Sequence, residues 1–267
     1  MKIIPANIKA IILVLSLSLQ NCGTYLFLAE ENAKTKTYNG LVIDLYAIAS
    51  ANLIHYWPLD GDTEDKIGGL DLIPAGSSAP TVTFDRHGLP GGAYHYPGDG
   101  LTYHQSLLAP GEPILDGATS SFTISVWVNG KFNPTSGGGN AIFLSQGGGL
   151  GMQYYSNTDV PCLNLLRAFT NTGGTGDVDM GSGCTYGKDG VWYNMIFVWD
   201  HPKLIGHLYI NGVLFSTYTN GGRIGPWATG GAFSLGYSDL GGAGFIGNID
   251  EIRVYNQVIH PSPFVGW

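Results

Sequence analysis

Short apolar runs divided by turn-forming residues fill the chain from Leu53 onward. The runs are rich in Val, Ile, Phe, Tyr and Trp, and clusters of Gly, Pro, Asn and Ser separate them. In "SFTISVWVNG", residues 121–130, apolar residues alternate with Thr, Ser and Trp. This is the period of a strand that is buried mainly on one face. The pattern predicts an all-β sandwich or barrel, with no long helix.

Two further runs predict how neighbouring strands are arranged. "WYNMIFVWD", residues 192–200, is apolar on both alternating phases, so we expect a central strand. "HLYINGVLFSTY", residues 207–218, places strand-like runs on either side of Asn211-Gly212. This dipeptide accepts positive φ at both turn positions and is a strong hairpin signal. Residues 53–267 have a length that one all-β domain reaches as a single unit.

The first residues, "MKIIPANIKAIILVLSLSLQNC", have the character of an export signal. Two lysines precede an uncharged apolar stretch that is too short to cross the ~30 Å hydrocarbon core as a helix. We therefore expect residues 1–21 to be a signal peptide. The segment ending in Cys22 resembles the lipobox of bacterial lipoproteins, in which the cysteine is acylated, although Asn21 replaces the usual small residue. Ordinary secretion with cleavage nearby remains the alternative.

Residues 22–52 mix a polar and an apolar stretch without a sustained period, and we interpret them as a tether. Removal of the signal peptide leaves Cys162 and Cys184 besides Cys22. Two cysteines in an oxidising compartment form one bridge, so we expect these two to pair. Two cysteines without suitably spaced histidines do not favour a zinc site.

Charge is sparse and acidic. Only 12% of residues are charged, and the formal net charge is −8. Nucleic acid is therefore not an expected partner. Because the surface is polar mainly through Ser, Thr, Asn, Gly and Tyr, it suits hydrogen-bonding partners such as sugars.

A series of segments in order along the chain resembles one protein family. They are "LIHYWPLDGDTEDKIGGLDL", "GLPGGAYHYPGDG", "SFTISVWVN", "VWYNMIFVWDHPKLIGHLYINGVLFSTY" and "AFSLGYSDLGGAGFIGNIDEIRVYNQVIHP". Together they resemble the laminin G-like members of the concanavalin A-like lectin/glucanase superfamily, in the form found in large bacterial surface proteins. The resemblance implies a jelly roll of two antiparallel sheets, one of them concave.

Asp250 and Glu251 stand side by side in an apolar, β-branched run near the C-terminus. If the closing strand lies beside the opening one, Asp250 could join the loop "DGDTED" (residues 60–65, the acidic loop). Together Asp60, Asp62, Asp65 and Asp250 would then offer oxygens to a hard cation such as Ca²⁺. In the alternative, Asp250 accepts backbone N–H bonds at a sheet edge, and Glu251 faces solvent or pairs with Arg253.

Catalysis is not expected. The superfamily includes retaining glycoside hydrolases, which need two carboxylates about 5 Å apart, usually within Glu-x-Asp-x-Glu or with one further spacer. That motif is absent from the sequence. Asp177 and Asp179 in "DVDMG" have the spacing of two carboxylates on one strand face. A solvated loop explains them better than an acid/base pair.

Aromatic residues in loops are the candidates for a binding surface, because an aromatic face can stack on a sugar ring. The residues that we predict to bind a ligand are Trp227, Tyr154, Tyr155, Tyr237 and Asp239. Packing beneath a loop is the alternative for each aromatic. Trp57, Trp127, Trp192 and Trp199 lie within strand-like runs, and we assign them to the core.

The sequence thus favours a non-catalytic lipoprotein of the cell surface. We expect it to bind a glycan or a host or matrix protein, and to contact the membrane only through its lipid anchor. A structural or assembly module of the cell envelope is the alternative. A carbohydrate-active enzyme with an unusual acid/base pair is a more remote one.

Overall fold

The computed structural model describes most of the predicted sandwich. It describes residues 52–75, 79–97, 106–109, 114–115, 121–131, 139–145, 150–155, 165–170, 178–181, 187–219, 233–236, 245–259 and 261. Taken by itself, Leu53–Ile259 is one compact unit. Among the described residues no helix is long and apolar enough to cross a membrane.

Fifteen strands are present within these ranges. They are β1 (Leu53–Trp57), β2 (Ile73–Ala75), β3 (Thr81–Phe84), β4 (Pro90–Pro97), β5 (Ser106–Ala109), β6 (Phe122–Gly130), β7 (Gly139–Ser145), β8 (Leu150–Tyr155), β9 (Leu165–Thr170), β10 (Val178–Gly181), β11 (Trp192–Asp200), β12 (Ile205–Ile210), β13 (Val213–Tyr218), β14 (Phe233–Leu235) and β15 (Ile246–Tyr255).

The strands form two antiparallel sheets. The first has the order β13-β12-β11-β6-β15-β4-β3, with β1 also paired to β15, and the second has the order β10-β9-β8-β7-β14-β5-β2. One cluster of buried apolar side chains draws on both sheets. Trp57 of β1, for example, stacks on Phe233 of β14 with ring centroids 5.3 Å apart. The predicted all-β jelly-roll sandwich is confirmed.

The central position predicted for residues 192–200 is also confirmed. β11 pairs with β12 on one side and with β6 on the other. Every residue from Tyr193 to Trp199 is buried, so both faces of the strand are covered. Apolar residues on both phases are what such a position requires.

Two of the four tryptophans assigned to the core lie elsewhere. Trp57 and Trp199 are fully buried in the core, as predicted. Trp127 and Trp192 are only partly buried, and they do not belong to the core cluster. Val126 and Val128 point into the core, so Trp127 between them must point to the other face of the sheet. Alternation along the strand outweighs the general preference of tryptophan for burial.

The predicted hairpin forms at Asn211-Gly212. Ile210 pairs with Val213, and the two turn residues have φ values of 50° and 76°. Positive φ at both positions gives the turn whose twist matches that of the flanking strands. The turn is also tied to β11, because the side-chain oxygen of Asn211 accepts a hydrogen bond of 2.8 Å from the backbone N–H of Asn194.

The opening and closing strands lie side by side, as the sequence predicts. β1 runs antiparallel to β15, with His55 opposite Val254. The same edge of β15 also receives β4, which pairs with residues 246–249, because β6 occupies the other edge. β1 and β4 therefore meet end to end along β15, and the change of partner falls at Asp250 and Glu251.

Close approach of β15 to β6 makes glycine necessary at position 247. Gly247 has φ 145°, and a Cβ there would overlap the carbonyl oxygen of Asn129 and lie 2.6 Å from Cα of Gly130. We expect Gly247→Ala to destabilise the fold by about 3 kcal/mol or more, because backbone atoms cannot move aside as a flexible side chain can.

Chemical denaturation measures this cost, and Gly190→Ala is the matched control. Gly190 has φ 71°, with no atom within 4 Å of the added Cβ, so its variant should lose about 1 kcal/mol through backbone strain alone. Equal losses in the two variants would show that β15 and β6 are not in such close contact.

Candidate functional site

The acidic loop is organised around Asp65. Its Oδ1 accepts hydrogen bonds from the backbone N–H groups of Tyr56, Ile67 and Gly68, at 2.9 to 3.1 Å. Its Oδ2 accepts from the N–H of Leu70 at 3.1 Å and contacts Nδ1 of His55 at 2.6 Å. Asp65 thus joins the loop to β1 through both of its oxygens.

These donors determine the charge state of Asp65. Burial alone would raise the pKa of its carboxyl group, but hydrogen bonds from His55 and from the backbone lower the pKa from 3.8 to about 2. A buried carboxylate that accepts several N–H bonds is stabilised in its charged form. Asp65 is therefore an ionised structural residue, and its His55 contact requires the Nδ1–H tautomer to donate.

The other carboxylates of the acidic loop face solvent. Asp62 lies 3.0 Å from Nζ of Lys66, and Glu64 lies 2.6 Å from the same nitrogen. All three side chains are more than a third exposed, so these pairs add little to stability. Asp60 is exposed as well.

A second group of charges lies in the sheet where β15 changes its partner. Glu251 has φ 46°, and the register between β15 and β6 shifts by one residue between Asp250 and Arg253, which marks a β-bulge. We call the four buried side chains around it the bulge cluster. Its members are Arg86, Asp250, Glu251 and Arg253.

The bulge cluster is a chain of alternating acidic and basic side chains. Nη1 of Arg86 lies 3.1 Å from Oδ2 of Asp250 and 3.5 Å from Oε1 of Glu251. Nη1 of Arg253 lies 2.9 Å from Oε2 of Glu251. Each of the four side chains is at most 6% exposed. Glu251 lies between the two arginines, so removing it would leave two cations buried without compensation.

Aromatic rings flank both arginines. The guanidinium carbon of Arg86 lies 4.7 Å from the ring centroid of Trp127, and that of Arg253 lies 4.7 Å from the ring of Tyr56. The face of an aromatic ring attracts a cation, most strongly where water is excluded. Trp127 therefore faces the bulge cluster, which explains its position away from the core.

Asp250 keeps its proton to unusually high pH. Burial raises the pKa of its carboxyl group most, and the charge of Glu251 raises it further, against the opposing effect of Arg86. Asp60 and Asp85 also raise it, and the result is about 8. Within the part of the chain that the structure describes, Oδ1 of Asp250 is buried without a hydrogen-bond partner, so it can carry the proton.

The four aspartates predicted to bind calcium do not converge on one site. The described ranges contain no group of three or more His, Cys, Asp or Glu side chains that could hold a metal ion. Asp65 uses both oxygens on N–H donors, Asp62 pairs with Lys66, and Asp250 contacts Arg86. These residues do not fit a cation that requires six to eight oxygen ligands. Whether the protein binds calcium stays a prediction.

The alternative interpretation of Asp250 and Glu251 is correct in one part and wrong in another. Glu251 does pair with Arg253, as the spacing of two residues suggested. It does not face solvent, and Asp250 is not at a sheet edge, because β15 is paired on both sides. The missing partner is Arg86, which lies 164 positions away in the sequence.

One predicted ligand-binding residue belongs to the core. Tyr154 is 1% exposed, packs on Phe245, and accepts a hydrogen bond of 3.1 Å from the backbone N–H of Gly130. This position is incompatible with stacking on a ligand. Its packing beneath neighbouring residues is the alternative that the sequence left open.

The remaining predicted site residues lie largely outside the described part of the chain. The backbone of Tyr155 ends β8, and that of Asp179 lies in β10, but the structure describes neither side chain. Those wholly outside the described residues are Cys22, Cys162, Asp177, Cys184, Trp227, Tyr237 and Asp239.

Sequence reasoning missed an exposed apolar surface on the β3–β4 loop, residues 85–89. Phe84 ends β3 just before this loop and is 58% exposed, and Leu89 is the last residue of the loop and is 60% exposed. The side chain of Asp85 accepts hydrogen bonds of 2.8 Å from the N–H groups of His87 and Leu89, which fixes the loop from within. The available signal was "FDRHGLP", which has an aromatic residue beside a turn-forming Asp and Gly.

Comparison with known proteins agrees with this architecture. A family model described as "Concanavalin A-like lectin/glucanases superfamily", of laminin G type, matches residues 101–262, which is more than half of the chain. The laminin G-like resemblance predicted from the sequence is therefore confirmed. No curated protein sequence matches.

Solved structures share the fold at low sequence identity. The binding domain of Paraclostridial Mosquitocidal Protein 1 is 14% identical, with TM-score 0.62, over 81% of this chain and 51% of that chain. A structure of botulinum neurotoxin type C, whose cell entry depends on two ganglioside molecules, is 12% identical, with TM-score 0.59, over 82% and 51%. The chain thus spans about half the length of the chain in each of these two structures.

A smaller domain matches over nearly its whole length. Domain 4 of AbnA, a GH43 extracellular arabinanase from Geobacillus stearothermophilus, in complex with arabinotriose, is 22% identical with TM-score 0.51. The match covers 80% of this chain and 97% of that domain. At these identities the three structures establish a common fold.

Removing the Asp65 carboxylate should destabilise the domain. Asp65→Ala leaves several buried N–H donors without an acceptor, and we expect a loss of about 3 kcal/mol at pH 7. Because the folded-state pKa lies below the unfolded value, the stabilisation by Asp65 is present above pH 4 and is lost as the pH falls through about 2.

Urea unfolding at several pH values between 2 and 7 tests this. As the pH falls from 7 to 2, protonation of Asp65 should lower the free energy of unfolding of the wild type by about 2 kcal/mol. The Asp65→Ala variant should lack this part of the loss. Asp62→Ala is the control and should change stability by less than about 0.5 kcal/mol, because its partner is exposed. An Asp65→Ala variant as stable as this control would contradict the role given to Asp65.

Asp250 should produce the opposite pH dependence. Its folded-state pKa lies above the unfolded value of 3.8, so the folded chain binds the proton more tightly, and stability falls as the pH rises through about 8. Asn cannot ionise, so the Asp250→Asn variant does not have this loss. Its free energy of unfolding, relative to that of the wild type, should rise from pH 5 to pH 9.

Denaturation at these two pH values measures the difference directly. Asp200→Asn is the control, because its partner Lys203 is exposed, and its curve should run parallel to that of the wild type. If the Asp250→Asn curve also ran parallel to the wild type, Asp250 would carry the same charge throughout this range, contrary to expectation.

Proposed function

The chain belongs to the concanavalin A-like lectin/glucanase superfamily, and we propose that it is a non-catalytic domain that binds carbohydrate. The observation that carries the proposal is the structural use of its clustered carboxylates. Asp65, Asp250 and Glu251 are all buried, and each is held by hydrogen bonds or by arginine.

This arrangement argues against hydrolysis by these residues. A glycosidase needs two carboxylates that reach the scissile bond, one of them able to donate a proton. Asp250 has the raised pKa that a general acid needs, but its side chain is 2% exposed and faces Arg86 in the interior of the sheet junction. The raised pKa of Asp250 therefore results from its burial in the fold, and substrate cannot reach this carboxyl group.

The fold supports carbohydrate as the ligand class. Two of the similar structures concern sugar recognition, one as a complex with arabinotriose and one as a toxin that depends on gangliosides. The composition agrees, since a surface with few charges and many hydroxyl, amide and tyrosine groups suits sugar hydroxyls. A protein partner of the host or the matrix that carries such sugars is also consistent with the proposal.

We place the sugar contact at the residues that the sequence predicts to bind a ligand, apart from Tyr154. Trp227 would stack on a ring face, with Tyr155, Tyr237 and Asp239 supplying further contacts. We also propose that the protein is exported and anchored to the bacterial envelope through acylated Cys22, facing the cell exterior. A domain attached in this way would present its binding loops to glycans outside the cell.

Binding of the full-length protein to a glycan array tests the proposal. We expect saturable binding to at least one class of glycan, and we expect Trp227→Ala to weaken that binding at least tenfold through loss of stacking. Phe84→Ala is the matched control, because it removes an aromatic ring from a residue that is 58% exposed and is not among the predicted ligand contacts. It should leave binding unchanged while its circular dichroism spectrum stays native.

Two results would contradict the proposal. One is an array without binding in either the presence or absence of Ca²⁺. The other is release of reducing sugar from a bound polysaccharide by the purified protein, abolished by Asp177→Asn or Asp179→Asn, which would restore the enzyme hypothesis.

A further inference from the structure

We propose that Arg86 takes the place of a metal ion where the opening and closing strands meet, so that this junction is held together without calcium. One of the two interpretations of the sequence places a metal ion between Asp250 and the acidic loop. The structure places a guanidinium group there.

The position of Arg86 is that of a bridging cation. Its Nη1 contacts Asp250 at 3.1 Å and Glu251 at 3.5 Å, so one positive group serves two neighbouring carboxyl groups. Asp60 and Asp85 are close enough to act on the carboxyl group of Asp250 through their charges. Without Arg86, this corner of the sheet would combine four acidic residues with Arg253 as the remaining described cation of the bulge cluster.

Arginine is suited to this buried position. Its guanidinium group is more weakly hydrated than an ammonium group and can stack on aromatic rings. Arg86 is 6% exposed and lies over Trp127 at 4.7 Å. The ring therefore covers the face of the cation that is not directed at the carboxylates, a contact that a hydrated metal ion would not need.

The ligands that calcium would require are already engaged. Asp65 accepts from backbone N–H groups with both of its oxygens, and Oδ2 of Asp250 accepts from Arg86. A metal ion at Asp250 would also have to approach the fixed positive charge of Arg86. Calcium binds through six to eight oxygens, and this junction does not present them.

Arg86 also connects the junction to the surface. It lies in the β3–β4 loop, between Phe84 and Leu89, whose side chains are exposed. Asp85 fixes the same loop from within, through its bonds to His87 and Leu89. The buried arginine thus attaches an exposed apolar loop to β15, the strand that also carries β1 and β4.

Charge-removal variants test the bridging role. Arg86→Met keeps most of the side-chain volume but leaves Asp250 and Glu251 short of a cation. It should shift the unfolding equilibrium at least about 100-fold toward the unfolded chain. At pH 9, adding Asp250→Asn to this variant should recover at least about tenfold more stability than the same substitution gives in the wild type, because a carboxyl group that can ionise without its cation is then gone. Arg86→Lys keeps the charge without the planar, forked shape of the guanidinium group. Its stability should lie between those of the wild type and Arg86→Met.

If the two substitutions were additive, so that Asp250→Asn changed stability equally with and without Arg86, the bridge between Arg86 and Asp250 would be refuted. If Arg86→Met does not fold, a double variant that is soluble under the same expression conditions supports the bridge. A double variant that also fails to fold counts against the bridge.

The wild-type protein provides a test that needs no destabilised variant. Its melting temperature should be the same in millimolar CaCl₂ and in EDTA. A calcium-dependent rise that Asp250→Asn abolishes would overturn the proposal. A rise that Asp250→Asn retains would place the ion at other residues and agree with it.

Discussion

The buried charges at the β15 bulge are the constraint on which the arrangement of the sheet depends. β15 must accept two strands in succession along one edge, and the point of exchange leaves room for side chains that a regular ladder would exclude. The side chains that fill that place alternate between acidic and basic, and they are Arg86, Asp250, Glu251 and Arg253. Because the four side chains are almost fully buried and contact one another, they favour a single arrangement of β1, β4 and β15.

Other features of the domain follow from this junction. β1 is held against β15 by backbone pairing and against the acidic loop by Asp65, while Trp57 reaches across to Phe233 in the second sheet. Asp65 and Asp250 are both buried, yet near neutral pH Asp65 is ionised and Asp250 is protonated. One accepts N–H bonds that favour the carboxylate, and the other lies beside a second carboxylate. Acidic residues that the sequence associates with a ligand therefore act in the fold itself.

Much of the architecture could be predicted from the sequence because it rests on local patterns. Three elements are each specified by their own residues: β6 by alternating apolar and polar positions, β11 by apolar residues on both faces, and the hairpin by Asn211-Gly212. The structure contains all three. The pairing of first and last strands came from family resemblance. The bulge cluster could not be found in this way, because Arg86 is adjacent to Asp250 only in the folded chain and "FDRHGLP" has the composition of an ordinary turn. Likewise, nothing in "DGDTED" distinguishes a carboxylate that binds a metal from one that caps a loop, as Asp65 does.

The central claim is that the opening strand is held to the closing strand at the bulge, as one cooperative unit. Hydrogen–deuterium exchange of the native protein, followed by peptide mass, tests this most directly. The amides of Leu53–Trp57 and Ile246–Tyr255 should exchange together and as slowly as those of the central strand β11, through global unfolding. Rapid exchange of Leu53–Trp57 while β11 remains protected would show that the opening strand is not part of the stable sheet, and would contradict the account.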